Sequence, residues 1–174
     1  MLWNHRSDAW LGIPMTTAQR TEAFADMEAS GEIVPVQVEG IRMPLFILTE
    51  DLTLMESVLN GELDTKPRLE FLAPLDPMIW DRKLIEAVWG YKYSWEIYTP
   101  AEKRKYGYYV LPMVYGSELI GRIEAAADRK NGQLIFKNIW YEPGVRVTKK
   151  LERAIDSSLQ RLARFNDCQT VTKL

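Results

Sequence analysis

The stretch GYYVLPMVYGSELIGRIEAAADRKNGQLIFKNIWY, residues 107–141, decides the fold. It holds three runs rich in β-branched and aromatic residues, 107–115, 118–126 and 133–141, joined by Gly116-Ser117 and Asn131-Gly132. Such pairs supply the positive φ that tight hairpin turns require, so the runs predict an antiparallel meander. Upstream, residues 93–98 alternate like another strand, and residues 81–89 predict a short helix stopped by Gly90. Before these, residues 69–73 predict a buried strand stopped by Pro74 and Pro77. Downstream, residues 147–165 predict an amphipathic helix with Leu151, Ile155, Leu159 and Leu162 on its apolar face. Residues 67–174 are therefore expected to form a small antiparallel β-barrel or curled sheet with a C-terminal helix.

The portion before it reads differently. Thr16-Thr17-Ala18-Gln19 is a capping box opening a helix that runs to about Ser30, with Phe24 and Met27 at i, i+3 spacing and Gly31 as the left-handed stop. In residues 33–38 Val34, Val36 and Val38 alternate with polar or Pro positions, Glu39-Gly40 turns the chain, and residues 42–48 return as a second strand. A helix followed by a two-stranded hairpin is the second half of a winged-helix unit, whose core needs three helices. Residues 1–66 thus read as a partial winged helix, truncated at its front, and the whole chain as α+β. An apolar face near Trp3, Trp10, Leu11 and Ile13 would be left open and favour self-association. Residues 49–60 predict a helix with Leu52, Met55 and Leu59 on one stripe and Gly61 at its end. Residues 62–68, including Asp64, Lys66 and Pro67, are the linker candidate.

Charge follows the same division. Residues 1–66 hold 4 basic and 11 acidic residues, a net of −7, and residues 67–174 hold 18 and 13, a net of +5. A polyanion should therefore meet the second portion. Cys168 stands alone and forms no intramolecular disulfide, which fits a reducing compartment. No run approaches the ~20 apolar residues that span a bilayer, and residues 1–10 are too polar for a signal peptide, so a cytoplasmic protein without membrane contact is expected. One histidine, His5, and one cysteine leave no ordinary zinc site. No phosphate-binding loop, dinucleotide fingerprint or serine elbow occurs. No metal, no cofactor and no catalytic residue are expected.

The most pointed local feature is the cationic cluster Lys103-Arg104-Lys105, followed by Tyr106, Tyr108 and Tyr109. Cations neutralise phosphates and tyrosines offer stacking faces. The competing reading is a solvated loop whose tyrosines belong to the core. Arg129-Lys130 occupies a hairpin turn, and Arg82-Lys83 opens the short helix, where free backbone N–H groups favour an anion. Arg122 reads either as part of a phosphate-binding set or as an internal partner of Glu124 or a neighbouring carboxylate. Asp76, Asp81, Glu96, Glu124 and Asp128 are the carboxylates available for acid–base work, with Asp81 also readable as an N-cap and Asp128 as a turn residue.

Several runs together resemble the YcaQ/AlkZ-like bacterial winged-helix DNA glycosylases. They are residues 31–36 with Glu39-Gly40, the stretch Phe71-Leu72-Ala73-Pro74-Leu75-Asp76-Pro77-Met78-Ile79-Trp80-Asp81-Arg82, residues 96–100, 103–112 and 121–124, and Ala127-Asp128-Arg129-Lys130. The likeness spans residues 16–165. It implies the end of the last winged helix and the C-terminal barrel of enzymes that excise bulky alkylated bases and unhook interstrand cross-links. The family's Gln-apolar-Gln or Gln-apolar-Asp motif is absent; Gln37-Val38-Glu39 falls in the wing hairpin. The resemblance implies weak binding to duplex DNA phosphates by Arg82, Lys83, Lys103, Arg104, Lys105, Arg122, Arg129 and Lys130, with no excision by this chain alone. A stand-alone interaction or regulatory protein of the same architecture is the alternative, and a small-substrate hydrolase built on the scattered carboxylates is a third.

Overall fold

The structure, a computed structural model, describes residues 1–5, 10, 12–63 and 66–173. The chain divides into two compact units, residues 1–65 with 81–90, and residues 66–80 with 91–174. Counted this way the charges separate further. The first unit has 5 basic and 13 acidic residues, a net of −8; the second has 17 and 11, a net of +6.

In the first unit, helix α1 (Thr17–Ala29) begins with the expected reciprocal cap. The Thr16 hydroxyl accepts from the Gln19 N–H at 3.2 Å, and the Gln19 side-chain oxygen accepts from the Thr16 N–H at 2.9 Å. Gly31, at φ +76°, turns the chain into β2 (Ile33–Val36), which pairs antiparallel with β3 (Leu45–Leu48). Both strands are shorter than the sequence pattern suggests. Pro44 has no N–H to contribute to a ladder, and residues 37–44 instead form the hairpin tip. A strand that the sequence does not announce, β1 (Leu2–Trp3), pairs with the other edge of β3, giving the order β1-β3-β2.

Trp3 does not belong to the open apolar face expected for it. It is buried with Ile41 and Leu45, and its indole N–H donates to Asp81 Oδ2 at 2.8 Å. Trp10 packs edge-on against Phe24 at 5.9 Å; Ile13 is exposed. Leu11 lies outside the described residues, as do Asp64 and Thr65 of the linker candidate. Helix α2 (Leu52–Leu59) forms after a short 3-10 turn but buries none of its residues, and Leu59 is 76% exposed. Of its expected stripe, Leu52 and Met55 are half-buried and Leu59 is uncovered. Helix α3 (Arg82–Trp89) belongs to this unit, with Leu84 packed on the Trp3 cluster and Gly90 at φ +65° as its left-handed stop.

In the second unit, β4 (Leu69–Phe71), β5 (Val110–Tyr115), β6 (Glu118–Asp128), β7 (Gln133–Tyr141) and β8 (Thr170–Lys173) form one curled sheet in sequence order. The pairs are antiparallel except β7 with β8, and β8 is another strand the sequence pattern misses. Register shifts at Met113/Val114 and Glu124/Ala125 increase the local twist and help the sheet curl. Helix α4 (Lys149–Phe165), capped by the Thr148 hydroxyl, lays Leu151, Ile155 and Leu159 on Leu69, Met113, Ile123 and Leu134.

Residues 93–98 do not form the expected strand; Glu96–Tyr98 is a 3-10 turn. The misleading signal has a physical source. Tyr91 and Tyr93 are buried while Lys92 and Ser94 are exposed, which imitates a two-residue period without a ladder. The two phenols are anchored singly, Tyr91 to the Gly121 carbonyl at 2.9 Å and Tyr93 to the Val110 carbonyl at 2.8 Å. Among the described residues no helix is long and apolar enough to cross a membrane.

Candidate nucleic-acid interface

Register places two of the cationic clusters at one end of the sheet. Val110, the first residue of β5, faces Glu124 of β6, so the loop entering β5 and the hairpin leaving β6 share that end. Asp128 lies four residues beyond Glu124, about 13 Å farther along the strand. Gly107 fixes the entering loop against β6: a side chain there would bring its Cβ within 2.6 Å of Glu124 Oε2. Lys103 and Lys105 on the loop and Arg129 and Lys130 on the hairpin are exposed. Among the described residues none of these four is ion-paired to a carboxylate.

Glu96 organises the loop. Its carboxylate accepts from the backbone N–H groups of Lys105 at 2.9 Å, Tyr106 at 2.9 Å and Gly107 at 3.1 Å. Burial pushes the carboxyl up, but the three amide donors and the nearby Arg104 outweigh it and hold it below the ordinary glutamate range. Arg104 donates Nε–H to the Thr99 carbonyl at 2.8 Å and lies 5.0 Å from the Tyr108 ring centre. Lys105 Nζ lies 4.8 Å from the Tyr106 ring. Tyr108 is 50% exposed and Tyr98 88% exposed, while Trp95 packs edge-on against both Tyr98 and Tyr109. Exposed rings beside exposed cations are what a nucleic-acid strand needs; Tyr98 is a ring to which the sequence reading gave no role, and Glu96, there a candidate acid–base carboxylate, instead caps the loop.

Of its two readings, Arg122 takes the internal one and not the phosphate contact. It is 3% exposed, so its guanidinium is not available to a phosphate. It donates to Glu142 Oε1 at 2.5 Å and to the Lys92 carbonyl at 3.0 Å, and sits 4.5 Å and 4.3 Å from the rings of Tyr91 and Tyr106. Its carboxylate partner is Glu142, twenty residues on, rather than Glu124, which is bridged to Lys137 at 3.4 Å. Burial, only partly offset by Arg122, keeps the Tyr91 phenol neutral far above ordinary alkaline pH. The Tyr106 ring, edge-on to Trp140 at 5.4 Å, carries this anchor to the base of the cationic loop.

Arg82 and Lys83 open α3 in the first unit, and both residues have interactions within the molecule. The anion site expected at that helix start is filled from inside. Asp81 Oδ1 accepts from the N–H groups of Lys83 at 3.1 Å and Leu84 at 3.0 Å. The other carboxylates likewise have structural work: Asp76 accepts from Met78 N–H at 2.9 Å, and Asp128 holds Asn131 through backbone and side chain. Gln37 is turned onto its own hairpin, donating to the Ile41 carbonyl at 2.6 Å.

A sequence model of the family described as DNA glycosylase AlkZ-like matches residues 5–165. The fold is similar to that of the Streptomyces sahachiroi DNA glycosylase AlkZ, with a TM-score of 0.57 at 17% identity. The match takes in 99% of this chain and 42% of that one, so the chain spans less than half the length of the solved structure. At such low identity the likeness establishes architecture alone: a mixed α+β arrangement with a curled five-stranded sheet and a C-terminal helix.

Proposed function

The chain belongs to the AlkZ-like DNA glycosylase family, and we propose that it is a DNA-contacting portion of such an enzyme that releases no base by itself. The observation that carries the reading is the pairing of exposed Lys103 and Lys105 with exposed Arg129 and Lys130 at one end of the sheet. Four unpaired cations within reach of one strand suit the regular phosphates of a duplex, and lesion enzymes need no base-sequence readout. Arg104 supports the loop. Arg82 and Lys83 serve as a separate contact from the first unit, through their side chains and not through the capped helix start. Arg122 supports the interface from beneath.

The first unit is read as the latter half of a winged helix. Its support is the order β1-β3-β2 around the α1–β2–β3 succession, the strand order of that motif. The lack of excision is supported by the local engagement of Gln37 and by the structural roles of Asp76, Asp81, Glu96 and Asp128. A stand-alone interaction protein is the second reading, favoured by one observation: Leu54, Val58 and Leu59 of α2 are all exposed.

Fluorescence anisotropy with undamaged duplex, run beside a base-release assay on alkylated duplex, tests the proposal. Weak binding without release is expected. Release of a base by this chain would refute the assignment of chemistry elsewhere, and absence of binding at low salt would favour the interaction protein.

A further inference from the structure

Beside the cationic loop the second unit has a cleft of about 530 Å³, within the roughly 300–1,000 Å³ typical of small-molecule sites. Its apolar wall includes Tyr109 and Phe165, and its polar rim is Arg68, Glu70, Asp76 and Arg161. Two arginines against two carboxylates make the rim formally neutral, unlike the loop next to it. The Glu70 carboxylate is shared by Arg68 and Arg161, and Arg161 is further tied to the Leu69 carbonyl at 2.6 Å and Ser158 Oγ at 2.8 Å. That network holds the rim in place. Phe165, the last residue of α4, is 85% exposed, and Tyr109 is braced by Trp95 at 6.3 Å.

The geometry points to this cleft as a site for an unpaired nucleobase of a single strand, whose phosphates run along Lys103 and Lys105. An exposed phenylalanine at the mouth of a neutral cleft is poorly explained by stability, and a planar ring is the ligand whose face it would cover. Donors and acceptors at the rim suit the mixed edge of any base, whereas a bare anion would find no net positive charge there. Tyr109 belongs both to the cleft and to the segment that follows Lys105, so a backbone held by the lysines delivers a base to the ring. This inference rests on the phosphate-binding reading and adds single-stranded or unpaired DNA to what the interface accepts.

The test is anisotropy of the full chain with a labelled oligothymidylate and with an abasic strand of equal length, which has the same phosphates and no bases. Oligothymidylate should bind roughly tenfold more tightly, the size of one stacking contact. Phe165→Ala should bring it down to the abasic level, and Phe165→Trp should preserve the difference. Equal affinity for the two strands, or a difference that survives Phe165→Ala, overturns the cleft assignment. Binding of both strands that weakens equally in Lys103→Gln/Lys105→Gln would then leave the phosphate reading standing. If neither strand binds at low salt, both fall.

Discussion

Replacing Arg122 by Met keeps an aliphatic stem of similar length and removes the buried charge. The two ring contacts at 4.5 Å and 4.3 Å are worth about 1 kcal/mol each. The bonds to Glu142 and the Lys92 carbonyl contribute about 1.5–3 kcal/mol more as charge-assisted hydrogen bonds. Against this, Arg122 Nε is buried with no partner, and methionine relieves that cost. Glu142, with 29% of its side chain exposed, can turn to water once abandoned. The net expectation is a loss of about 2–4 kcal/mol, at the lower side of what breaking a buried pair costs. Urea unfolding followed by tryptophan fluorescence measures it, with Trp140 beside Tyr106 as a local reporter. Adding Glu142→Gln to the Met variant should cost little more, because the pair is already broken. A loss below about 1 kcal/mol would refute the anchoring role. So would a variant of native stability whose DNA salt dependence is flatter, since Arg122 would then be touching phosphate after all.

Glu96→Gln should loosen residues 105–107, seen as faster amide hydrogen exchange there with the sheet unchanged. Because the folded-state pKa of Glu96 is lowered, its stabilisation is fully present above the unfolded value of about 4.3 and is lost as pH falls through the folded value. The Gln variant should therefore show a flatter acid limb of stability than the parent chain, and an identical limb would contradict the amide cap. Gly121→Ala places a Cβ against the Trp140 carbonyl at φ +155° and should cost about 3 kcal/mol or more in thermal unfolding; near-neutral behaviour would mean that β6 and β7 are not so closely paired. Trp3→Phe leaves one oxygen of buried Asp81 without the indole donor and should destabilise the first unit by about 1–3 kcal/mol, readable as a lower midpoint in urea unfolding; an unchanged midpoint would contradict the bond.

Much of the second unit was legible because local signals and tertiary outcome agree. Gly116 and Gly132 sit at φ +63° and +65° in the two turns that their neighbours predict, and α4 buries Leu151, Ile155 and Leu159 of its apolar stripe. What escaped was non-local. β8 is a four-residue edge strand whose place depends on pairing with β7, and β1 is two residues long. Neither length offers a period to read. At the candidate interface, charge order revealed Lys103, Lys105, Arg129 and Lys130, whose exposure follows from their positions in a loop and a turn. Burial decided the rest. For Arg122 the sequence left two readings open, and the convergence of Tyr91, Tyr106 and Glu142 makes it internal. The start of α3 could be read from the sequence as an anion site or as a helix capped by Asp81, and the cap is the one that forms.

The most direct test of the phosphate interface is the slope of log affinity against log salt for duplex DNA, measured on the parent chain and on Lys103→Gln/Lys105→Gln. Each neutralised phosphate contributes about 0.9 to that slope, so losing both lysines should flatten it by about 2. A slope that stays as steep in the double variant, with both chains equally folded, would place the DNA somewhere other than this end of the sheet.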